Sequence, residues 1–108
     1  MTLEIPLTKA SFLIKSMWKL RINVDGYKSK KSDELATQVR EGRSFQLIDS
    51  YSINFNGQLM IDRVKVRLLE DGYICWIKFS ELINNAFKRK FWEPDLLVQE
   101  KIESRIPK

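Results

Sequence analysis

Residues 64–82, VKVRLLEDGYICWIKFSEL, restrict the possible folds more than any other part of the chain. Val64, Val66 and Leu68 alternate with Lys65 and Arg67, so one face of an extended arm is apolar and the other charged. Glu70, Asp71 and Gly72 supply a turn, because glycine tolerates the positive φ that short hairpin connections require. The returning arm, residues 73–79, is rich in aromatic and β-branched residues. Ser80 is then placed to cap one helical turn through Glu81 and Leu82. A tight hairpin that runs straight into a helical turn points to a small SH3-like barrel. Such barrels bind or position a ligand far more often than they catalyse a reaction alone.

The rest of the chain agrees with a barrel. Residues 17–24, MWKLRINV, set Trp18, Leu20, Ile22 and Val24 against Lys19, Arg21 and Asn23, as in a half-buried strand ended by Asp25-Gly26. A polar, lysine-rich loop follows over residues 27–34. In an SH3-like barrel the long loop after the first strand lines the main binding groove. Residues 35–39 suit a helical turn or a short strand. Glu41-Gly42-Arg43 reads as a turn, and Phe45 and Leu47 as inward positions of another strand. Asn56-Gly57 is a strong two-residue hairpin signal. Five or six short strands with turns every eight to twelve residues make the expected fold mainly β, a small SH3-like barrel with a C-terminal helical linker.

Three units are expected: an N-terminal arm over 1–16, extended or a short helix; a barrel over 17–90; and a helical linker over 91–108. In the linker, Glu93-Pro94-Asp95 marks a helix start. Val98, Ile102 and Ile106 then recur every four residues as a narrow apolar stripe. With Trp92, which could anchor the linker, these are candidates for interdomain packing. The stripe could equally lie back on the barrel.

Composition narrows the chemistry. The chain of 108 residues contains no histidine and one cysteine, Cys75. The usual general base and metal ligand are therefore missing, no intramolecular disulfide can form, and the carboxylates are scattered through turns. The chain is expected to be no enzyme by itself and to need no cofactor or metal. Cys75, between Ile74 and Trp76, reads as a buried small hydrophobe. The net charge of +5 allows an anionic partner without requiring one. No run of apolar residues is long enough to span a membrane, and residues 1–16 do not resemble a secretory signal, so the expected location is cytoplasmic.

Two further segments carry a resemblance. Leu35-Ala36-Thr37-Gln38, followed three residues later by Gly42-Arg43, and the hairpin Val66-Arg67-Leu68 through Glu70-Asp71, Tyr73 and Trp76 resemble the N-terminal bacterial SH3-like (SH3b) domain of cyanobacterial NlpC-type cell-wall cysteine peptidases. Residues 101–108, KIESRIPK, resemble the linker to the catalytic domain of that family. The first sixteen residues have no counterpart there, and the Asn56-Gly57 hairpin looks longer than the family's connection. Family members carry a papain-like domain with a Cys nucleophile and two His residues. They cleave the bond between a γ-D-glutamyl residue and an L-diamino acid in murein (peptidoglycan) peptides.

The resemblance thus implies a non-catalytic domain that gates substrate for a catalytic peptidase domain in cis, itself absent from this chain, with murein peptide held between the two. Tyr27 matches the family's loop tyrosine at the subsite for the free peptide N-terminus, and Asp25 could accept hydrogen bonds from its ammonium. Against this, Tyr27 could simply cover the barrel edge, and Asp25 could serve the turn. The alternative function is a free-standing barrel that binds single-stranded nucleic acid or a protein. Nucleic acid is the less favoured, because acidic residues share the loops with the lysines.

Overall fold

The computed structural model describes residues 2–91. Residue 91, the first of the expected linker, is the last of them and ends a strand; the rest of the linker, with Trp92, Val98, Ile102 and Ile106, lies outside them. Eight strands and one helix follow in chain order: β1 (Thr2–Pro6), β2 (Met17–Leu20), β3 (Val24–Tyr27), β4 (Leu35–Val39), β5 (Ser44–Phe55), β6 (Gln58–Leu68), β7 (Ile74–Lys78), α1 (Phe79–Asn85) and β8 (Ala86–Phe91). They form one sheet in the order β1-β8-β2-β5-β6-β7-β3-β4, with every neighbouring pair antiparallel.

That order requires a curled sheet. Between β2 and β3 lie β5, β6 and β7, so in a flat sheet the two strands would be about 19 Å apart at four strand spacings. The chain from Leu20 to Val24 can span at most about 14 Å. The sheet must therefore wrap round until its distant strands approach each other. The Gly42 N–H donates to the Leu20 carbonyl at 2.9 Å, and the Glu41 N–H to Asn23 Oδ1 at 2.9 Å. Inside the curl, Trp18, Leu20, Val39, Phe45, Leu47, Val64, Val66 and Ile77 make one continuous core, closed at one end by Phe79 and Leu82 of α1. Trp18 is buried with its indole N–H donated to Ser16 Oγ at 2.8 Å, so burial leaves no donor unmet. The expected mainly-β, SH3-like architecture is the one found.

The residue 64–82 hairpin forms as its pattern demands. Val64 and Val66 are buried, and Val66 pairs with Cys75 across the ladder. In the turn, the Gly72 N–H donates to the Leu68 carbonyl and the Tyr73 N–H to Asp71 Oδ1. The return arm is shorter than expected, because Phe79 begins the helix. That helix runs to Asn85 instead of stopping after one turn. Ser80 does not cap it. The N-cap is Lys78, with no side-chain cap bond. The Ser80 carbonyl instead accepts from Asn84 Nδ2 at 3.0 Å. Phe79 is drawn in by burial against Phe12, edge-to-face at 5.6 Å, and this packing sets the helix start one residue before Ser80.

Two other expectations need correction. Residues 17–24 are two strands, since the chain changes partners at residues 21–23: β2 lies between β5 and β8, β3 between β4 and β7. Ile22, at this corner, is 47% exposed despite its place in the apolar alternation. Asp25-Gly26 does not end a strand but lies within β3. A Cβ on Gly26 would stand 2.7 Å from the Cys75 Sγ and 3.2 Å from the Thr37 Cγ2, so glycine is there to let β3 approach its neighbours. Residues 35–39, left open by the sequence, are strand β4.

At Asn56-Gly57 the two residues have φ of 51° and 81°, which suits a primed hairpin turn. Beyond the core the β5–β6 hairpin continues outward and exposes Ile53, Phe55, Leu59 and Met60. β1 joins the same sheet through β8, and Leu7 just after it is fully buried. Arg21, just after β2, hydrogen-bonds Glu4 of β1 across the intervening β8 and holds its carboxyl below the ordinary 4.5, with a smaller contribution from Arg89.

Cys75 is the chain's one thiol, and burial, helped by the charge of Asp71, raises it from 9.0 to about 11. A folded state that holds this proton more tightly than the unfolded chain has its full benefit below about pH 9 and loses it as pH rises towards 11. We expect alkylation by iodoacetamide at about pH 8 to be at least tenfold slower in the native protein than in urea. Equal rates would mean that the thiol is open to solvent.

Candidate functional site

The outward positions of β3 build the candidate site. Val24 and Gly26 point to the core, which leaves Asp25 and Tyr27 on the other face. Tyr27 pairs with Trp76 of β7, and Lys78 lies two residues further along the same face. Glu81 projects from the first turn of α1. Asp25, Tyr27, Lys78 and Glu81 together line a small cleft of about 150 Å³. Lys78 Nζ lies 5.5 Å from the centre of the Tyr27 ring.

This group holds complementary functions. The carboxylates of Asp25 and Glu81 can accept from an ammonium, Lys78 can donate to a carboxylate or carbonyl, and the Tyr27 hydroxyl can do either. The cleft therefore suits a small zwitterionic or amino-terminal group. It holds no nucleophile paired with a base. Cys75 lies on the core side of β7, buried and protonated at neutral pH. Among the described residues no cluster of three or more His, Cys, Asp or Glu is placed to hold a metal ion. Nor is any helix among them long and apolar enough to cross a membrane.

The loop over residues 28–34 stands beside the cleft and is tied in several ways. Lys28 N–H donates to the Glu34 carbonyl at 3.0 Å, and Lys28 Nζ pairs with Glu34 at 2.8 Å. Ser29 Oγ accepts from the Ser32 N–H, and Ser32 Oγ from the Glu34 N–H, each at 2.9 Å. Beneath the loop lies Arg63 of β6, whose guanidinium carbon is 4.4 Å from the centre of the Tyr27 ring. Further along the face, Lys30 and Lys31 lie over Tyr51, and Lys65 lies 5.9 Å from Trp76. These rings already carry cations of the chain itself, which makes them poor open platforms for stacking nucleobases.

A larger apolar groove of about 520 Å³ opens on another part of the surface, between Leu7, Met60 and Ile61, and Phe79 and Ile83 of α1. It is continuous with the exposed apolar residues of the β5–β6 hairpin.

Asp25 and Tyr27, the two subsite residues expected from the sequence, are thus brought into one cleft. They are joined by Lys78, which the sequence did not single out, and by Glu81, which had read only as a residue of a helical turn. Arg63 had no distinguishing signal at all, because a single sequence does not separate a buried arginine from a solvated one.

Comparison with known families agrees with this architecture. The family described as the bacterial dipeptidyl-peptidase SH3 domain matches residues 26–82, just over half of the chain, from within β3 to within α1. No curated protein matches the chain.

Proposed function

The chain belongs to the bacterial dipeptidyl-peptidase SH3 domain family, and from that premise we propose that it gates murein peptides for a cysteine peptidase domain of the NlpC type. The SH3 domain itself is a non-catalytic accessory domain of a peptidase. In the proposed arrangement the catalytic domain supplies the Cys and His residues, and this domain supplies one wall of the substrate site. The wall is the cleft of Asp25, Tyr27, Lys78 and Glu81, and its ligand is the free N-terminus of the peptide. The scissile bond joins γ-D-glutamyl to an L-diamino acid. Trp92, Val98, Ile102 and Ile106 would pack at the junction of the two domains.

One observation carries this reading: Tyr27, matched by the resemblance, and Asp25, two residues before it, share a cleft with a second carboxylate and an ammonium. Two carboxylates suit an amine, and the small volume suits a terminal residue better than the middle of a chain.

The test is a titration of the chain with the murein tripeptide L-alanyl-γ-D-glutamyl-diaminopimelate, followed by amide and Tyr27 ring resonances. Because the site would be shared, binding to this chain alone should be weak, about millimolar. Shifts should centre on Asp25, Tyr27, Lys78 and Glu81. Acetylation of the peptide amine should abolish them. Asp25→Asn should weaken binding by about tenfold or more, the worth of a charge-assisted hydrogen bond. Shifts that survive acetylation, or that lie on the Lys30, Lys31 and Tyr51 surface, would sink the proposal.

A further inference from the structure

Arg63 is the buried charged residue of the described chain, with its side chain 6% exposed. A guanidinium withdrawn from water this far needs acceptors close by. It has three, all in the loop over residues 28–34. Nη1 donates to the Ser29 carbonyl at 3.0 Å and to the Ser32 carbonyl, and Nη2 donates to Asp33 Oδ1 at 3.0 Å. Its guanidinium carbon lies over the Tyr27 ring, 4.4 Å from the ring centre.

The pairing is lopsided. Asp33 is 89% exposed, so its carboxylate would be well solvated without the arginine. The two carbonyls also belong to a surface loop and could turn to water. Arg63, by contrast, comes from β6 in the middle of the sheet and pairs directly with Lys78 of β7 on one side and Tyr51 of β5 on the other. The sheet fixes the guanidinium, and the guanidinium fixes the loop.

We propose that Arg63 is the positioning residue of the cleft: it locks Tyr27, which lines the cleft, to the sheet and to the 28–34 loop beside it, and ligand affinity depends on it without contact. This rests on the assignment of the cleft as the peptide subsite. The role requires arginine in particular. Two diverging donor groups and a planar face are needed at once, and a lysine ammonium at the same site has neither the fork nor the plane. A preformed Tyr27 matters because a side chain ordered only upon binding would subtract its ordering entropy from the affinity.

The test compares the full chain with its Arg63→Lys and Arg63→Met variants. Amide exchange at residues 28–34 should accelerate by tenfold or more in both, while exchange at Val64, Val66 and Ile77 stays within twofold. The Tyr27 ring resonances, which the guanidinium 4.4 Å away should displace in the parent chain, should move towards free-tyrosine values in both variants. Murein tripeptide affinity should fall by at least tenfold in Arg63→Lys, with no rescue from the retained charge. Uniform acceleration across the core would reduce Arg63 to a general stabilising residue, and unchanged loop exchange would overturn the lock. If the parent chain binds no tripeptide, the subsite assignment fails, and exchange and ring resonances still decide whether the lock exists.

Discussion

Gly26→Ala is expected to destabilise the domain by about 1–3 kcal/mol, the usual cost of forcing extra volume into a filled site. The backbone is not the obstacle, since Gly26 has no positive φ. The obstacle is Cys75, whose Sγ would lie 2.7 Å and Cβ 3.2 Å from the new methyl carbon. Something must shift, and β3 is the element able to move, because its ladder with β7 consists of the single pair Tyr27 and Trp76. Displacement of β3 carries Asp25 and Tyr27 with it, so the cleft should suffer together with stability. A double-mutant cycle identifies the cause. Cys75→Ala alone removes one sulfur atom and should cost about 1 kcal/mol through the small void it leaves. In the double variant the new methyl enters that void. Gly26→Ala/Cys75→Ala should then be more stable than Gly26→Ala alone, which requires a favourable coupling larger than the cost of Cys75→Ala, about 2 kcal/mol. Thermal or urea unfolding of the four proteins measures it. Additive losses would show that the close approach to Cys75 is not why glycine stands there.

The same residue shows how far the fold was legible in the sequence. Asp25-Gly26 looks like a strand end, because glycine in a local reading means a turn. Here its meaning is tertiary, and the atom that excludes a side chain lies 49 positions away in sequence, at Cys75. The hairpin over residues 64–82 was readable because strands next in sequence and joined by a tight turn keep their pattern in local order. Residues 17–24 misled in the opposite way. Their alternation is real at Trp18, Leu20 and Val24, but the chain turns a corner at residues 21–23 that periodicity cannot register. β8 was hidden because Lys88-Arg89-Lys90 has the composition of a solvated loop. It becomes a strand through pairing with β1 and β2, and strand preference follows from such context more than from the residue itself. In the cleft, Tyr27 came from the family resemblance and Asp25 from its carboxylate two residues earlier. Lys78 and Glu81 could not be joined to them until β7 and α1 were placed beside β3.

Removal of residues 1–16 is expected to abolish cooperative unfolding of the domain, although these residues precede the family-matched segment 26–82. β1 pairs with β8 along five residue pairs, and the Leu7 N–H continues the ladder to the Ala86 carbonyl at 3.0 Å. Leu7 itself is 0% exposed within the same cluster as Trp18 and Phe45. Phe12 covers Phe79 at the start of α1. Truncation would empty the Leu7 site, uncover α1 and leave β8 as a bare edge strand beside the core. Leu7→Ala alone should cost about 2–5 kcal/mol, a large part of the roughly 5–15 kcal/mol that holds a typical domain folded. Circular dichroism on heating tests both variants. Leu7→Ala should keep a sigmoidal transition at a lower midpoint, whereas the truncated chain should show a broad, shallow loss of signal. A truncated chain that melts as sharply and as late as the parent would mean that β1 and Leu7 are an appendage to a core complete without them. The physical argument is against that outcome. The matched segment excludes Trp18, Leu20, Leu7 and Ala86, and these cover the side of the core that β3, β4 and β7 do not reach.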